Sequence, residues 1–217
     1  MKDNLSAEKN IGNLTCLDGD LSQLTFSPLG KEHRPLMIKA IWKSHMELRG
    51  FLNWGKRTRS WNIDDVNVFI NSHLRDTFPR QHFVFMVGEE MVGFGSLLPS
   101  YTPMDAQVSL WITSGYQGLG IGTQVVKILI SIAFDIYGFT RLFYNHDACN
   151  EKSKRLAKKS GFRFSHTFDS TKEADEESGF WFSWVLHRPE GLPDGILQGR
   201  PLEDFSNVKV NNLINPI

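Results

Sequence analysis

A glycine-rich segment, Gln117-Gly118-Leu119-Gly120-Ile121-Gly122-Thr123, sits between an apolar strand-like run over 108–112 and a long apolar helical pattern over 125–137. Glycine tolerates left-handed backbone and lets a ligand approach without a Cβ in the way. A turn of this kind also leaves the first N–H groups of the following helix unbonded, at the positive end of its dipole. Strand, turn and helix together therefore describe a phosphate site, and the question becomes which phosphate-bearing ligand it takes.

Two familiar phosphate motifs fail on spacing. A P-loop requires Gly, four residues, then Gly-Lys-Ser/Thr, but Gly122 is followed by Thr123, and Lys127 lies a full turn inside the helix. A dinucleotide fold requires Gly-x-Gly-x-x-Gly. From Gly118 the sequence runs Gly-Leu-Gly-Ile-Gly-Thr, with the third glycine out of place.

Gln117, Gly120 and Gly122 instead match the Gln/Arg-x-x-Gly-x-Gly/Ala signature, in the same strand–turn–helix setting, so the segment resembles that of the GNAT acyl-CoA N-acetyltransferases. Downstream, Asn150, Ser153, Lys159, Gly161 and Phe162 are similar to the Asn-x-x-Ser … Lys-x-Gly-Phe pattern of its ribosomal-protein (RimJ/RimL-like) branch. The resemblance runs from about residue 21 to 188. It implies an α/β GNAT fold, a mixed and mostly antiparallel central sheet of about seven strands flanked by about four helices. Loose residues 1–20 and an irregular tail over 189–217 would flank that domain.

The pattern along the chain agrees with this fold. A first strand is expected over 21–28, helical spacing over 36–51, and a helix start at Asn62-Ile63-Asp64-Asp65. Two strands, 83–87 and 91–98, flank Gly88-Glu89-Glu90 as a hairpin. Strand 106–112 leads to the glycine turn, and Gly138 ends the apolar helix. Strand 141–145 is followed by a short helix capped by Asn150, then a closing strand pair over 162–168 and 180–186. Trp54, Trp61, Phe83 and Phe85 are expected in the core.

Composition narrows the function class. Apolar residues make up 41% and charged residues 22% of 217, the profile of a soluble globular chain. A formal net charge of zero excludes a broad basic field, so no nucleic-acid binding is expected. Cys16 and Cys149 form no metal-ligand spacing, and no metal is expected. The polar N-terminal stretch and the short apolar runs suggest a cytoplasmic protein without a membrane partner. Monomer and homodimer both stay open; Trp181 and Trp184 on the last strand are candidates to support a dimer.

The resemblance implies acetyl-CoA as cosubstrate, its pyrophosphate held by the backbone of Gln117, Gly118, Leu119, Gly120, Ile121, Gly122 and Thr123. Its pantetheine would run beside Leu110, Trp111 and Ile112, with a backbone N–H near Trp111 facing the thioester oxygen. Asn150 and Ser153 complete the cofactor set. Two departures matter. The family's tyrosine acid is replaced by Ala157, which makes Ser153 the first candidate to protonate the leaving thiolate. The branch's glutamate is replaced by Gln107, which cannot take a proton. Asp105, His146 and Asp147 are then the candidates for the base, and His146, Asp147 and Ser153 the candidate catalytic residues.

Two charge clusters complete the sequence. Lys152, Lys154, Arg155, Lys158 and Lys159 make the short helix basic, and one or two of them could meet a cofactor phosphate. The loop carrying Glu173, Asp175, Glu176 and Glu177 would attract a cationic acceptor. The expected activity is N-acetylation of a primary amine, by direct attack in a ternary complex. A peptide N-terminus is the favoured acceptor. A polyamine or aminoglycoside acceptor, an acyl-CoA-binding module without turnover and a nucleotide-binding regulatory domain are the alternatives.

Overall fold

The computed structural model describes residues 24–51, 63–76, 80–169 and 179–191. The expectations for residues 1–20, Trp54, Trp61, the acids over 173–177 and the tail from 192 onward lie outside the described residues. So does the proposed helix start at Asn62.

Among the described residues, seven strands form one sheet: β1 (Leu24–Pro28), β2 (Gln81–Val87), β3 (Glu90–Pro99), β4 (Asp105–Ile112), β5 (Arg141–Asp147), β6 (Arg163–Asp169) and β7 (Phe180–His187). Their order is β1-β2-β3-β4-β5-β7-β6. Every neighbouring pair is antiparallel except β4 and β5, which run parallel. A parallel pair needs a crossover, and a helix supplies it here.

Strand alternation sorts the side chains between two layers. On one face the sheet packs against α1 (Arg34–Phe51) and α2 (Ile63–Arg75). Met37, Ile41, Val66 and Ile70 meet Val84, Phe94 and Trp111 there. On the other face lie α3 (Ile121–Ser131) and α4 (Glu151–Lys159). Val125, Leu129 and Ala157 pack there with Phe83, Phe85, Val108, Leu142 and Tyr144. Phe83 and Phe85 are thus core residues, as expected. None of the described helices is long and apolar enough to cross a membrane.

The apolar pattern over 125–137 is not one α-helix. After Ser131 the chain widens into a π-helical turn, Ile132–Ile136, in which the Tyr137 N–H donates to the Ile132 carbonyl at 3.0 Å. Periodicity alone does not separate these, because an apolar residue at every position of 132–134 suits either winding. Gly138, at φ +72°, then ends the segment. Strand β5 also runs two residues beyond the expected 141–145, which carries His146 and Asp147 on the strand itself.

Candidate active site

The parallel pairing of β4 and β5 covers only four residue pairs, from Asp105↔Arg141 to Val108↔Tyr144. Both strands continue, Ser109 to Ile112 on one side and Asn145 to Asp147 on the other, without pairing to each other. The sheet therefore opens into a gap at that point. A strand edge without a partner offers its N–H and C=O groups to whatever enters.

The glycine turn sits at the open end of β4. Gly118 and Gly120 have φ of +78° and +84°, and a Cβ built on either would meet nothing within 4 Å. The turn is open on its outer side, which is what an approaching phosphate requires. Gly120 is the N-cap of α3 and receives no side-chain cap; the Thr123 N–H donates to the Gly120 carbonyl at 3.0 Å, and the N–H groups before it stay for a ligand. Gly122 serves packing instead: a Cβ there would lie 3.5 Å from Leu156 and 3.6 Å from Ile112.

Gln117 braces this turn. Its Nε2 donates to Glu47 Oε2 at 2.6 Å and to the Ile112 carbonyl at 3.2 Å, and Lys152 Nζ donates to its Oε1 at 3.1 Å. Its side chain thereby joins α1, the end of β4 and α4. Of the α4 cations, Lys152 reaches the turn. Lys154 bonds Glu151 at 2.9 Å and Lys158 lies over the Trp184 ring. Leu110 and Ile112 are half-buried on the α3 face, and Leu119 is exposed on the turn.

Asn150 caps α4, its Oδ1 accepting from the Ser153 N–H at 3.0 Å. The Ser153 side chain in turn hydrogen-bonds Tyr144, whose phenol is pushed up to about 12 by burial. Tyr144 is a residue that sequence reasoning missed. It resembles any core aromatic until the register shows it at the last pair before the gap.

The three base candidates are placed differently. His146 is buried, with Nδ1 2.7 Å from the Asp147 carbonyl and Nε2 accepting from the Trp184 indole N–H at 2.9 Å. An indole only donates and a carbonyl only accepts, so Nδ1 carries the hydrogen and both ring nitrogens are engaged. Burial also pushes its pKa down. Trp184 is consequently buried inside the chain rather than offered to a second copy. Asp105, its side chain fully buried, is gripped by Arg141 at 2.8 and 2.7 Å, and that pairing holds its carboxyl below the usual range. Asp147 Oδ1 accepts from the Cys149 N–H at 2.8 Å.

The α1–α2 face carries a row of polar side chains toward the gap. His82 Nδ1 meets Ser96 Oγ at 2.8 Å and its Nε2 meets Asp76 Oδ2 at 2.8 Å. Ser96 pairs across the strands with Ser109, the first β4 residue past the last pair. Across the gap, Asn145 Nδ2 donates to Gln107 Oε1 at 3.0 Å, and Asn145 pairs with Ser183 on β7. The alternation of residues 107, 109 and 111 is visible in the sequence. Their proximity to Asn145 and Ser183 is not, because those strands are distant in sequence.

A family model described as an acetyltransferase (GNAT) domain matches residues 23–163, more than half of the chain. The chain belongs to the GNAT acetyltransferase family and is an N-acetyltransferase by that membership. Its fold is shared with RimL, a ribosomal L7/L12 alpha-N-protein acetyltransferase solved with coenzyme A, at TM-score 0.66 and 16% identity, covering 76% of this chain and 94% of that one. It is also shared with the microcin C7 self-immunity acetyltransferase MccE, solved with acetyl-CoA and AMP, at TM-score 0.67 and 17% identity, covering 76% and 92%. The spermidine N-acetyltransferase of Vibrio cholerae, solved with CoA and spermine, matches at TM-score 0.63 and 15% identity, covering 77% and 96%. No curated protein matches the sequence.

Proposed function

We propose that this protein transfers the acetyl group of acetyl-CoA to the α-amine of a peptide or protein, by direct attack in the gap between β4 and β5. The observation that carries the reading is the end of pairing at Val108↔Tyr144, with an open glycine turn at the mouth of the same gap. The phosphates and the acetyl group of one ligand can then be held by adjacent pieces of backbone. The coenzyme A complex of RimL and the acetyl-CoA complex of MccE, on this same fold, support it.

In this reading the N–H groups of residues 118–122 hold the pyrophosphate, with Lys152 beside them; the Thr123 N–H already donates to the Gly120 carbonyl at 3.0 Å. The unpaired edge at Leu110, Trp111 and Ile112 holds the pantetheine and polarises the thioester carbonyl. The amine nitrogen bonds to the carbonyl carbon, the carbon–sulfur bond breaks, and the electron pair leaves on sulfur. A thiolate with a thiol-like pKa near 8.5 takes up a proton readily. Ser153 relays it, its hydroxyl giving a proton to sulfur as it takes one from water, with the Tyr144 hydroxyl holding it in place. The nitrogen loses its proton to Asp147, which lies on the acceptor face two residues beyond Asn145. His146 has no free nitrogen for that role and Asp105 is closed by Arg141, so in this reading both are structural.

The test is thiol release from acetyl-CoA in the presence of an unblocked peptide, a polyamine and an aminoglycoside. Release dependent on the peptide supports the reading. Acetyl-CoA binding without release under any acceptor would instead identify an acyl-CoA-binding module.

A further inference from the structure

Among the described residues, three buried polar atoms beside the gap have no hydrogen-bond partner: Asn145 Oδ1, Ser183 Oγ and Trp111 Nε1. Ser183 is 0% exposed and Trp111 8%. Buried polar groups are bonded in the great majority of cases, and one left unmade costs on the order of 1–3 kcal/mol. Here all three belong to one sheet face. Asn145 is the first β5 residue past the last β4 pair, Ser183 is its cross-strand partner, and Trp111 stands on the opposite side of the gap. Neighbouring polar groups on that face are satisfied, His82 by Ser96 and Asp76, Asp105 by Arg141.

Gln107 holds one end of the Asn145 amide, which fixes the other end toward Ser183's side of the strand pair. Exchanging oxygen and nitrogen in both amides keeps that bond and still leaves one end of Asn145 unpaired. The glycine turn and α3 occupy the opposite face, so a donor ligand anchored there leaves this face for the acceptor.

We propose that Asn145 and Ser183 are the seat of the acceptor amine, and that with Trp111 they select a peptide α-amine over a polycation; the proposal rests on the acetyltransferase reading above. A neutral primary amine has two N–H groups and one lone pair. Asn145 Oδ1 and Ser183 Oγ accept the two hydrogens and leave the lone pair for the thioester carbon in the gap. The Trp111 indole N–H donates to the carbonyl that a peptide α-amine carries two bonds away.

The seat itself is uncharged. Of the carboxylates that strands β4 and β5 place on this face, Asp105 is held by Arg141, and Asp147, which accepts from the Cys149 N–H, is the one proton acceptor of the reading above. A polyamine would need further carboxylates for its further ammonium groups, and these strands supply none to spare. An uncharged seat also favours an amine that is partly neutral in water. At pH 7 roughly a tenth of an α-amine of pKa near 8 is neutral, against roughly one in 2,500 of an alkylamine near 10.4.

The experiment measures kcat and KM for acetyl transfer to an unblocked alanyl tripeptide and to spermidine, with the acetyl-CoA Kd and the Tm of each protein. The full chain, Ser183→Ala, Asn145→Leu and Asn145→Asp are compared. The wild type is expected to favour the tripeptide in kcat/KM by tenfold or more. Ser183→Ala removes a hydroxyl that bonds nothing in the free protein, so it should leave Tm and acetyl-CoA affinity unchanged while raising tripeptide KM about tenfold. Asn145→Leu should do the same to KM, and Asn145→Asp should move the preference toward spermidine. A wild type that prefers spermidine, or a tripeptide KM unchanged in Ser183→Ala, overturns the proposal. A wild type that binds no acetyl-CoA overturns the acetyltransferase reading itself, and this inference with it.

Discussion

Val108 and Tyr144 are the last cross-strand partners of β4 and β5, and everything that gives the site its shape follows from their position. On the α3 face the side chain of Tyr144 reaches Ser153. One residue further along, Ser109 and Asn145 flank the opening on the α1–α2 face. The two faces thus receive different residues from the same two strands.

The glycine turn should separate binding from folding at neighbouring positions. Gly120 holds φ +84°, so Gly120→Ala costs roughly 1–2 kcal/mol of backbone strain and puts a methyl group toward the phosphate. Acetyl-CoA affinity should fall at least tenfold by calorimetry. Gly122 has ordinary φ and ordinary contact distances, so Gly122→Ala should change Tm by only a degree or two.

The Asp105–Arg141 pair closes the start of the parallel strands. Arg141→Met would leave the buried Asp105 carboxylate with only its Thr102 hydrogen bonds, so urea unfolding at pH 7 should show a clear loss of stability. Asp105→Asn leaves Arg141, which is partly exposed, to be solvated, so its loss should be clearly smaller. Equal losses in the two variants would contradict the assigned geometry.

Burial pushes His82 down to about 4 from its ordinary value near 6.5. Between those values the unfolded chain binds a proton that the folded chain does not, so stability falls as pH drops through that window. The full loss is about 3 kcal/mol, with His73 and His146 acting in the same direction because burial lowers them too. Urea midpoints at pH 7 and pH 5 measure the first part of it. His82→Gln, which can still accept from Ser96 and donate to Asp76, should flatten the dependence.

Local chemistry was legible in the sequence and pairing was not. Gly118 and Gly120 announce themselves because the left-handed backbone of a phosphate turn excludes most other residues. Asn150 is equally readable, since an N-cap is satisfied within three residues, here by Ser153. The gap escapes such reading. Ser109 and Asn145 become neighbours of the opening only through a parallel register whose strands are joined by a whole helix. His146 shows the same limit: as a lone histidine near the motif it reads as a base, and only the β5–β7 pairing brings Trp184 to its Nε2.

Asp147→Asn tests the assigned proton acceptor. The amide oxygen preserves the bond from the Cys149 N–H, so acetyl-CoA binding should hold. At neutral pH kcat/KM for a peptide α-amine should fall about 100-fold, the lower end of general-base effects. The deficit should shrink as pH rises past the amine's own pKa near 8, where deprotonation needs no help. A deficit constant with pH would point to a structural role for Asp147.

The most direct measurement of the central claim is mass spectrometry of an unblocked peptide after incubation with the protein and acetyl-CoA. The expected products are one acetyl group on the peptide α-nitrogen and free coenzyme A in equal amount, with no acetyl left on the protein. An unmodified peptide with intact acetyl-CoA, or an acetyl group retained on the protein, would contradict it.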